Sequence, residues 1–264
     1  MASPRKGGRP YPARARRNRA RGLPQSASTA ASSPINGGAR APPFSQNSGK
    51  PEFCQLPHCG GDAYALRRGK RRKYGMFERE NDILTVKDRV EALLKEKEYV
   101  LIGIDGRCAS GKSTFAERLV GALHANLLHM DDFFLRPEQR SEARLQIPGE
   151  NVDHERFLQE VLLPLSRNEA FSYRPFDCET LTLLPPVLVE GKRVSVVEGS
   201  YCFHKDLKGF YDLKIFLTVE KDEQMRRIVE RNGDYAKVFE KKWIPLEESY
   251  FSAFAVQEEA DLCF

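Results

Sequence analysis

The chain holds no run of about 18 apolar residues, the length a membrane-spanning helix needs, and no apolar core of a secretory signal. The expected location is therefore the cytoplasm. Cysteine is scarce, with six among 264 residues, and only Cys54 and Cys59 lie close together, with His58 between them. One such pair lacks the second pair of ligands that a closed zinc site requires, so ordinary reduced thiols are expected. Acidic residues are absent before Glu52. Residues 1–75 carry a formal charge of +14 and residues 76–264 one of −9, so the overall +5 describes neither part. An acidic second part gives no reason to expect nucleic acid there.

Residues 1–50 are rich in Arg, Ala, Ser, Pro and Gly, with Tyr11, Leu23, Ile35 and Phe44 almost their only large apolar side chains. Such a segment cannot offset its ordering entropy, and residues 1–75 are read as a largely disordered basic tail and linker. Three readings compete for it: a basic arm for RNA or a membrane, a transit peptide, or a tail without function. Residues 67–73, Arg-Arg-Gly-Lys-Arg-Arg-Lys, are read as a solvated hinge, with phosphate contact the alternative. Residues 76–264 are read as one folded domain.

What is present in that domain is a complete phosphate-binding loop, Gly106-Arg107-Cys108-Ala109-Ser110-Gly111-Lys112-Ser113, followed by Thr114. The apolar run Tyr99–Ile104 precedes it as a strand, and a helix from Lys112 to about Leu123 follows. Glycines let backbone N–H groups curl around phosphate oxygens, Lys112 can reach the outer phosphates, and the Ser113 hydroxyl can ligate Mg²⁺. The loop therefore predicts binding of a nucleoside triphosphate. Further strands are predicted at Asn126–Met130, Val194–Val197 and Leu213–Val219. Helices are predicted at Val86–Lys97 (capped by Asp82 or Thr85), at Glu155–Leu163 ending before Pro164, and from Asp222 to Arg231. Phe171–Leu188, with Pro175, Pro185 and Pro186, reads as a hairpin excursion. Near-continuous apolar strands separated by helices imply an α/β, three-layer α/β/α fold with a mainly parallel sheet. Ligands in such folds bind beyond the carboxyl ends of the strands.

At those ends stand the candidates for chemistry. Asp131, after the second strand, is read as the base that orients and deprotonates an acceptor hydroxyl, with Asp132 structural. Glu198, closing the most apolar strand, is read as a magnesium-directed carboxylate, because a charge there is costly to bury without a partner. Arg226, Arg227 and Arg231 share one helix, and Arg227 and Arg231 share a face on which they could close over a triphosphate. Phe133, Phe134, Tyr173 and Phe176 could stack on a planar acceptor or belong to the core. The C-terminal aromatics Trp243, Tyr250, Phe251 and Phe254, with Leu246, are read as core. His129 is read as a packed strand residue. His154 is read as a local hydrogen-bonder, since no second histidine lies near it in sequence.

Together these segments resemble the P-loop kinases that include uridine and cytidine kinases, with pantothenate kinase and phosphoribulokinase as relatives. The resemblance rests on Gly106–Thr114, Met130-Asp131-Asp132-Phe133-Phe134, Asn151-Val152-Asp153-His154-Glu155-Arg156-Phe157, Tyr173-Arg174-Pro175-Phe176-Asp177 and Val196-Val197-Glu198-Gly199. It covers about Lys97–Phe254. Lys242-Trp243-Ile244-Pro245-Leu246-Glu247-Glu248-Ser249-Tyr250 resembles a bacterial subgroup of uridine kinase type. The resemblance implies Asp131 as catalytic base, Asp153 as holder of the ribose hydroxyls, and Glu198 as a magnesium carboxylate. It implies phosphoryl transfer from ATP·Mg²⁺ to the 5′-hydroxyl of a pyrimidine nucleoside. The chain departs from that pattern at Asp132 (Ser in the family), Phe134 (Tyr) and Val152 (Phe), and it lacks a base-reading His near Phe176–Cys178. Alternatives are a related kinase for pantothenate or another small alcohol, a plain NTPase, or an NTP-binding protein that acts on nucleic acid through its basic arm.

Overall fold

A computed structural model describes residues 79–264; the basic tail, the Cys54/Cys59 pair and the 67–73 run lie outside the described residues. The centre is a five-stranded sheet made of β1 (Val100–Gly106), β2 (Asn126–His129), β7 (Val194–Glu198), β8 (Leu213–Leu217) and β9 (Leu262–Cys263). Its order is β2-β7-β1-β8-β9, with every neighbouring pair parallel. Side chains alternate across it. Val100, Ile102, Ile104, Val194, Val196, Leu213, Ile215 and Leu217 pack with α1 (Glu80–Leu93) and α2 (Lys112–Leu123). Leu101, Leu128, Val197 and Phe216 face a second core, shared with α3 (starting at His154–Phe157), α5 (Ile244–Phe254) and the aromatics Phe133, Phe203 and Tyr250. Burial on both faces explains why these strands read as continuous apolar runs. The three-layer α/β/α architecture expected from the sequence is the one observed.

Several boundaries differ from expectation, four of them informatively. α1 starts earlier, at Glu80 after Arg79, and neither Asp82 nor Thr85 caps it; the Thr85 hydroxyl instead donates back to the Asn81 carbonyl at 2.9 Å. β1 runs on through Asp105 to Gly106. The strand Asn126–Met130 gives way at Met130 to a 3-10 turn, Met130–Phe133. The helix that begins at His154 is not stopped by Pro164: a π turn, Leu158–Leu162, precedes a last turn, Leu163–Leu165. The same device recurs where the π turn Phe239–Trp243 precedes Pro245 in α5. A widened turn changes the carbonyl register just where a proline has no N–H to donate.

Between α3 and β7 the chain makes the expected excursion. β3 (Phe171–Tyr173) pairs antiparallel with β6 (Val187–Val189), and β4 (Phe176–Asp177) pairs antiparallel with β5 (Thr182–Leu183). α4 (Lys221–Asn232) follows β8 and carries the arginines. No helix among the described residues is long and apolar enough to cross a membrane.

Gly106 ends β1 at φ +139°, and a Cβ there would sit 2.0 Å from the Leu217 carbonyl oxygen of β8. Both the dihedral and the close backbone approach demand glycine. Gly106→Ala is expected to destabilise the domain by about 3 kcal/mol or more. A urea midpoint within error of wild type would refute this.

Candidate active site

The sheet's carboxyl edge brings the sequence candidates together. In the parallel register Ile104 of β1, Glu198 of β7 and His129 of β2 stand abreast. Glu198 thus lies at the strand tips between the phosphate loop and the turn that carries Asp131. Its carboxylate is buried, with the Ser113 hydroxyl 3.3 and 3.2 Å from its two oxygens and His129 Nδ1 2.5 Å from Oε1. His129 is therefore more than a packed strand residue: its imidazole fixes the orientation of Glu198.

A cavity of about 700 Å³ opens here, lined by Cys108–Thr114, Asp131, Phe134, Asn151, Glu198, Arg226, Arg227, Arg231 and Glu247. The N-terminus of α2 points into it, and no side chain caps that end. An uncapped twelve-residue helix preceded by a glycine at φ +93° presents backbone N–H groups and positive dipole to an anion. Lys112 is buried, and its ammonium donates to the Gly106 carbonyl at 2.6 Å and the Arg107 carbonyl at 3.0 Å. Burial alone would push the ammonium's pKa down, but Glu247 and Asp105 outweigh it and hold the group above the ordinary lysine value. Lys112 therefore stays charged.

Asp131 keeps some solvent access. Burial, reinforced by the Glu198 charge, pushes its carboxyl up to about 7, against the pull of Lys112 and His129. Asp132 turns away and accepts from the Tyr173 hydroxyl at 2.8 Å, the structural role expected of one member of the pair. The Asp131 turn is tied to the next segment by the Asp153 N–H, which donates to the Phe133 carbonyl at 2.7 Å, and by a bridge between Phe134 and Val152.

Several candidates sit away from the cavity or turn aside from it. Tyr173 and Phe176 are core residues: both are buried, and Tyr173 stacks on Phe133 with centroids 5.4 Å apart. Of the aromatics read as stacking platforms, Phe134 alone lines the cavity. Asp153 is sealed as the N-cap of α3; Oδ1 accepts from the Arg156 N–H at 3.2 Å and Oδ2 from Gln139 Nε2 at 2.8 Å. A carboxylate engaged this way caps its helix and does not face the cavity; Asn151, two residues earlier, does. Arg107 belongs to the loop, but its guanidinium forks onto Glu248 at 2.7 and 3.0 Å and leaves the cavity lining. Arg227 does lie over the loop, where its Nη1 donates to the Ala109 carbonyl at 3.1 Å. Arg231 lines the cavity and packs over the Phe239 ring at 5.5 Å.

Sequence reading missed two acidic supports of the loop. Glu247 of α5 is buried, accepting from the Cys108 N–H at 2.9 Å and the Ser200 hydroxyl at 2.7 Å. Asp105 is fully buried beneath the loop, accepting from the Gly106 N–H at 2.7 Å, the Phe203 N–H at 2.9 Å and the Tyr250 hydroxyl at 2.8 Å. Burial pushes Asp105 up to about 6 even so. Glu247 ties the loop to α5 and Ser200, and Asp105 ties the end of β1 to Phe203 and to Tyr250 of α5, which fixes the loop backbone before any ligand arrives.

No protein-family model matches the chain. Over 161 residues it is 27% identical to a uridine kinase of Ureaplasma parvum, covering 55% of this chain and 77% of that protein. It is 26% identical over 159 residues to uridine kinase-like protein 3 of Arabidopsis thaliana, covering 55% of this chain but only 34% of that protein, about a third of its length. The solved structure of a possible uridine kinase from Bacillus stearothermophilus shares the fold at TM-score 0.50 and 20% identity, covering 68% of this chain and 99% of that one. The sequence matches and the shared fold agree: the chain is similar to uridine kinase-like P-loop kinases.

Proposed function

We propose that the chain transfers the γ-phosphoryl group of ATP to the 5′-hydroxyl of a pyrimidine nucleoside. One observation carries the chemistry: the uncapped α2 N-terminus, Lys112, Ser113, Glu198 and Asp131 wall a single cavity. The Ser113 hydroxyl and the Glu198 carboxylate are hard oxygen donors about one hydrogen bond apart, a pair that suits Mg²⁺. When bound there, Mg²⁺ supplies charge neutralisation at the phosphate oxygens.

The chain's own residues do the rest. Backbone N–H groups of residues 109–114 and the Lys112 ammonium bind the phosphates, and Arg227 and Arg231 steady their charge from the α4 side. Asp131 accepts the proton of the attacking hydroxyl, and its raised pKa makes it a competent base near neutral pH. Phe134 offers a face against which a base or other flat acceptor stacks. On this reading residues 76–264 are the catalytic domain, residues 1–75 a separate tail, and the setting is the cytoplasm.

The pyrimidine nucleoside is supported by the names of the relatives. A second reading, a kinase for another small alcohol, is favoured by the engagement of Asp153 as a helix cap. An acceptor screen with ATP and purified protein, followed by ADP release, separates the two. Uridine or cytidine as the best acceptor is the expected result; ADP release driven only by pantothenate or a sugar would replace the first reading by the second.

A further inference from the structure

The fold joins two histidines that the sequence keeps fifty residues apart. The rings of His154 and His204 stack with centroids 4.0 Å apart, at 23°. Glu150 faces both Nε2 atoms, with Oε2 3.1 Å from His154 and Oε1 3.7 Å from His204. Asp206 faces both Nδ1 atoms, with Oδ2 3.8 Å from His154 and 3.7 Å from His204. We propose that Glu150, His154 and His204 form a binding site for a transition-metal dication of the Zn²⁺ type, distinct from the magnesium position at Ser113 and Glu198.

Three observations support it. One ligand atom from each of the three residues lies within 4.8 Å of the others, and all belong to the nitrogen-and-carboxylate donor set that Zn²⁺ prefers and Mg²⁺ does not. His204 is fully buried, yet its Nε2 has no hydrogen-bond partner, a costly omission that a metal bond would remove. Asp206, half-exposed, borders the opposite edge: its N–H donates to His204 Nδ1 at 3.4 Å, and its Oδ2 lies 3.8 and 3.7 Å from the two Nδ1 atoms, so metal binding moves the His204 proton from Nε2 to Nδ1 and turns Oδ2 in to accept it. Carboxylate–histidine–metal relays orient imidazole ligands in this way.

Binding requires adjustment. Tetrahedral geometry at about 2.0 Å per bond puts donor nitrogens about 3.3 Å apart and ring centroids about 5 Å apart. The stacked rings must therefore fan open at their Nδ1 edges. The metal displaces the proton shared by His154 and Glu150, and it shares Glu150 with Arg144, whose guanidinium lies 3.2 Å from Oε2. Glu150 Oε1 is the oxygen turned toward His204. A filled site would pin residues 149–154, the segment that ends in the α3 cap and contributes Asn151 to the cavity wall.

The test titrates Co²⁺ into untagged, metal-free, full-length protein. One equivalent should produce the visible d–d absorption of four-coordinate Co²⁺ without sulfur-to-cobalt charge transfer. Cys54→Ser/Cys59→Ser should keep that spectrum, while His154→Gln and His204→Gln should lose it. His204 is buried, so His154→Gln and Glu150→Gln provide the controls if His204→Gln does not fold. One equivalent of Zn²⁺ in excess of its Kd should also raise the Tm of wild type by about 5 °C and leave that of His154→Gln unmoved. Cobalt absorption no stronger than that of the aqueous ion, a spectrum unchanged by His154→Gln, or one carried by the cysteine pair would overturn the proposal. Because neither readout involves phosphoryl transfer, the result is independent of the assigned kinase activity.

Discussion

Asp131→Asn lowers kcat by about 10²–10⁴-fold and leaves ATP affinity near wild type. The asymmetry follows from geometry. On the proposed reading the phosphates meet the α2 N-terminus and Lys112, whereas Asp131 lines the cavity from the turn after β2. Asparagine has the same shape, so it preserves packing and removes only the ability to take a proton. The pH dependence is a second signature. A general base works in its ionised form, and burial with the Glu198 charge has raised this carboxyl from 3.8 to about 7. Below that value the working fraction falls about tenfold per pH unit, so kcat/KM should decline as pH drops through 7. An aspartate with an ordinary pKa would hold activity down to about pH 4. Initial rates across pH, with ATP affinity measured separately by calorimetry, check both parts. Near-normal turnover in Asp131→Asn would remove Asp131 from the role of base.

Lys112→Met damages both binding and chemistry, with an expected loss of about 10²–10³-fold in kcat/KM for ATP. The ammonium is buried at the loop, and the carboxylates of Glu247 and Asp105 already hold it charged. In the structure it satisfies the Gly106 and Arg107 carbonyls, so methionine also leaves two loop acceptors without their donor. Thermal stability should fall alongside activity. Lys112→Arg should not rescue it, because the planar guanidinium does not fit a slot sized for a compact ammonium that is 9% exposed. Wild-type kinetics in either variant would mean that the phosphates are held elsewhere.

What sequence reasoning could reach was decided by range. The phosphate loop is eight consecutive residues between an apolar strand and a helix, so its place in the fold was local and readable. Asp131 and Glu198 were legible because each ends an apolar run, and strand ends of a parallel sheet converge on one edge. The supports of the loop were not legible. Glu247 reaches Cys108 across 139 residues and Glu248 reaches Arg107 across 141, and no local pattern marks such a contact. Asp105 was missed because one charged residue inside a buried strand looks like the strand's end, until three donors are seen to satisfy it. Asp153 was given a role in the acceptor site by resemblance, whereas its position one residue before a helix already favoured the capping role it takes. His154 was read as lacking a second histidine, and the fold supplies His204 from the loop after β7.

The central claim is that the cavity moves a phosphoryl group onto a hydroxyl and does not merely hydrolyse ATP. The most direct measurement is the fate of γ-labelled phosphate when the protein turns over ATP with Mg²⁺ and saturating uridine. The account predicts that nearly all the label appears in the nucleoside monophosphate and that its appearance stops in Asp131→Asn. Label recovered only as inorganic phosphate, at a rate indifferent to every hydroxyl compound offered, would contradict it.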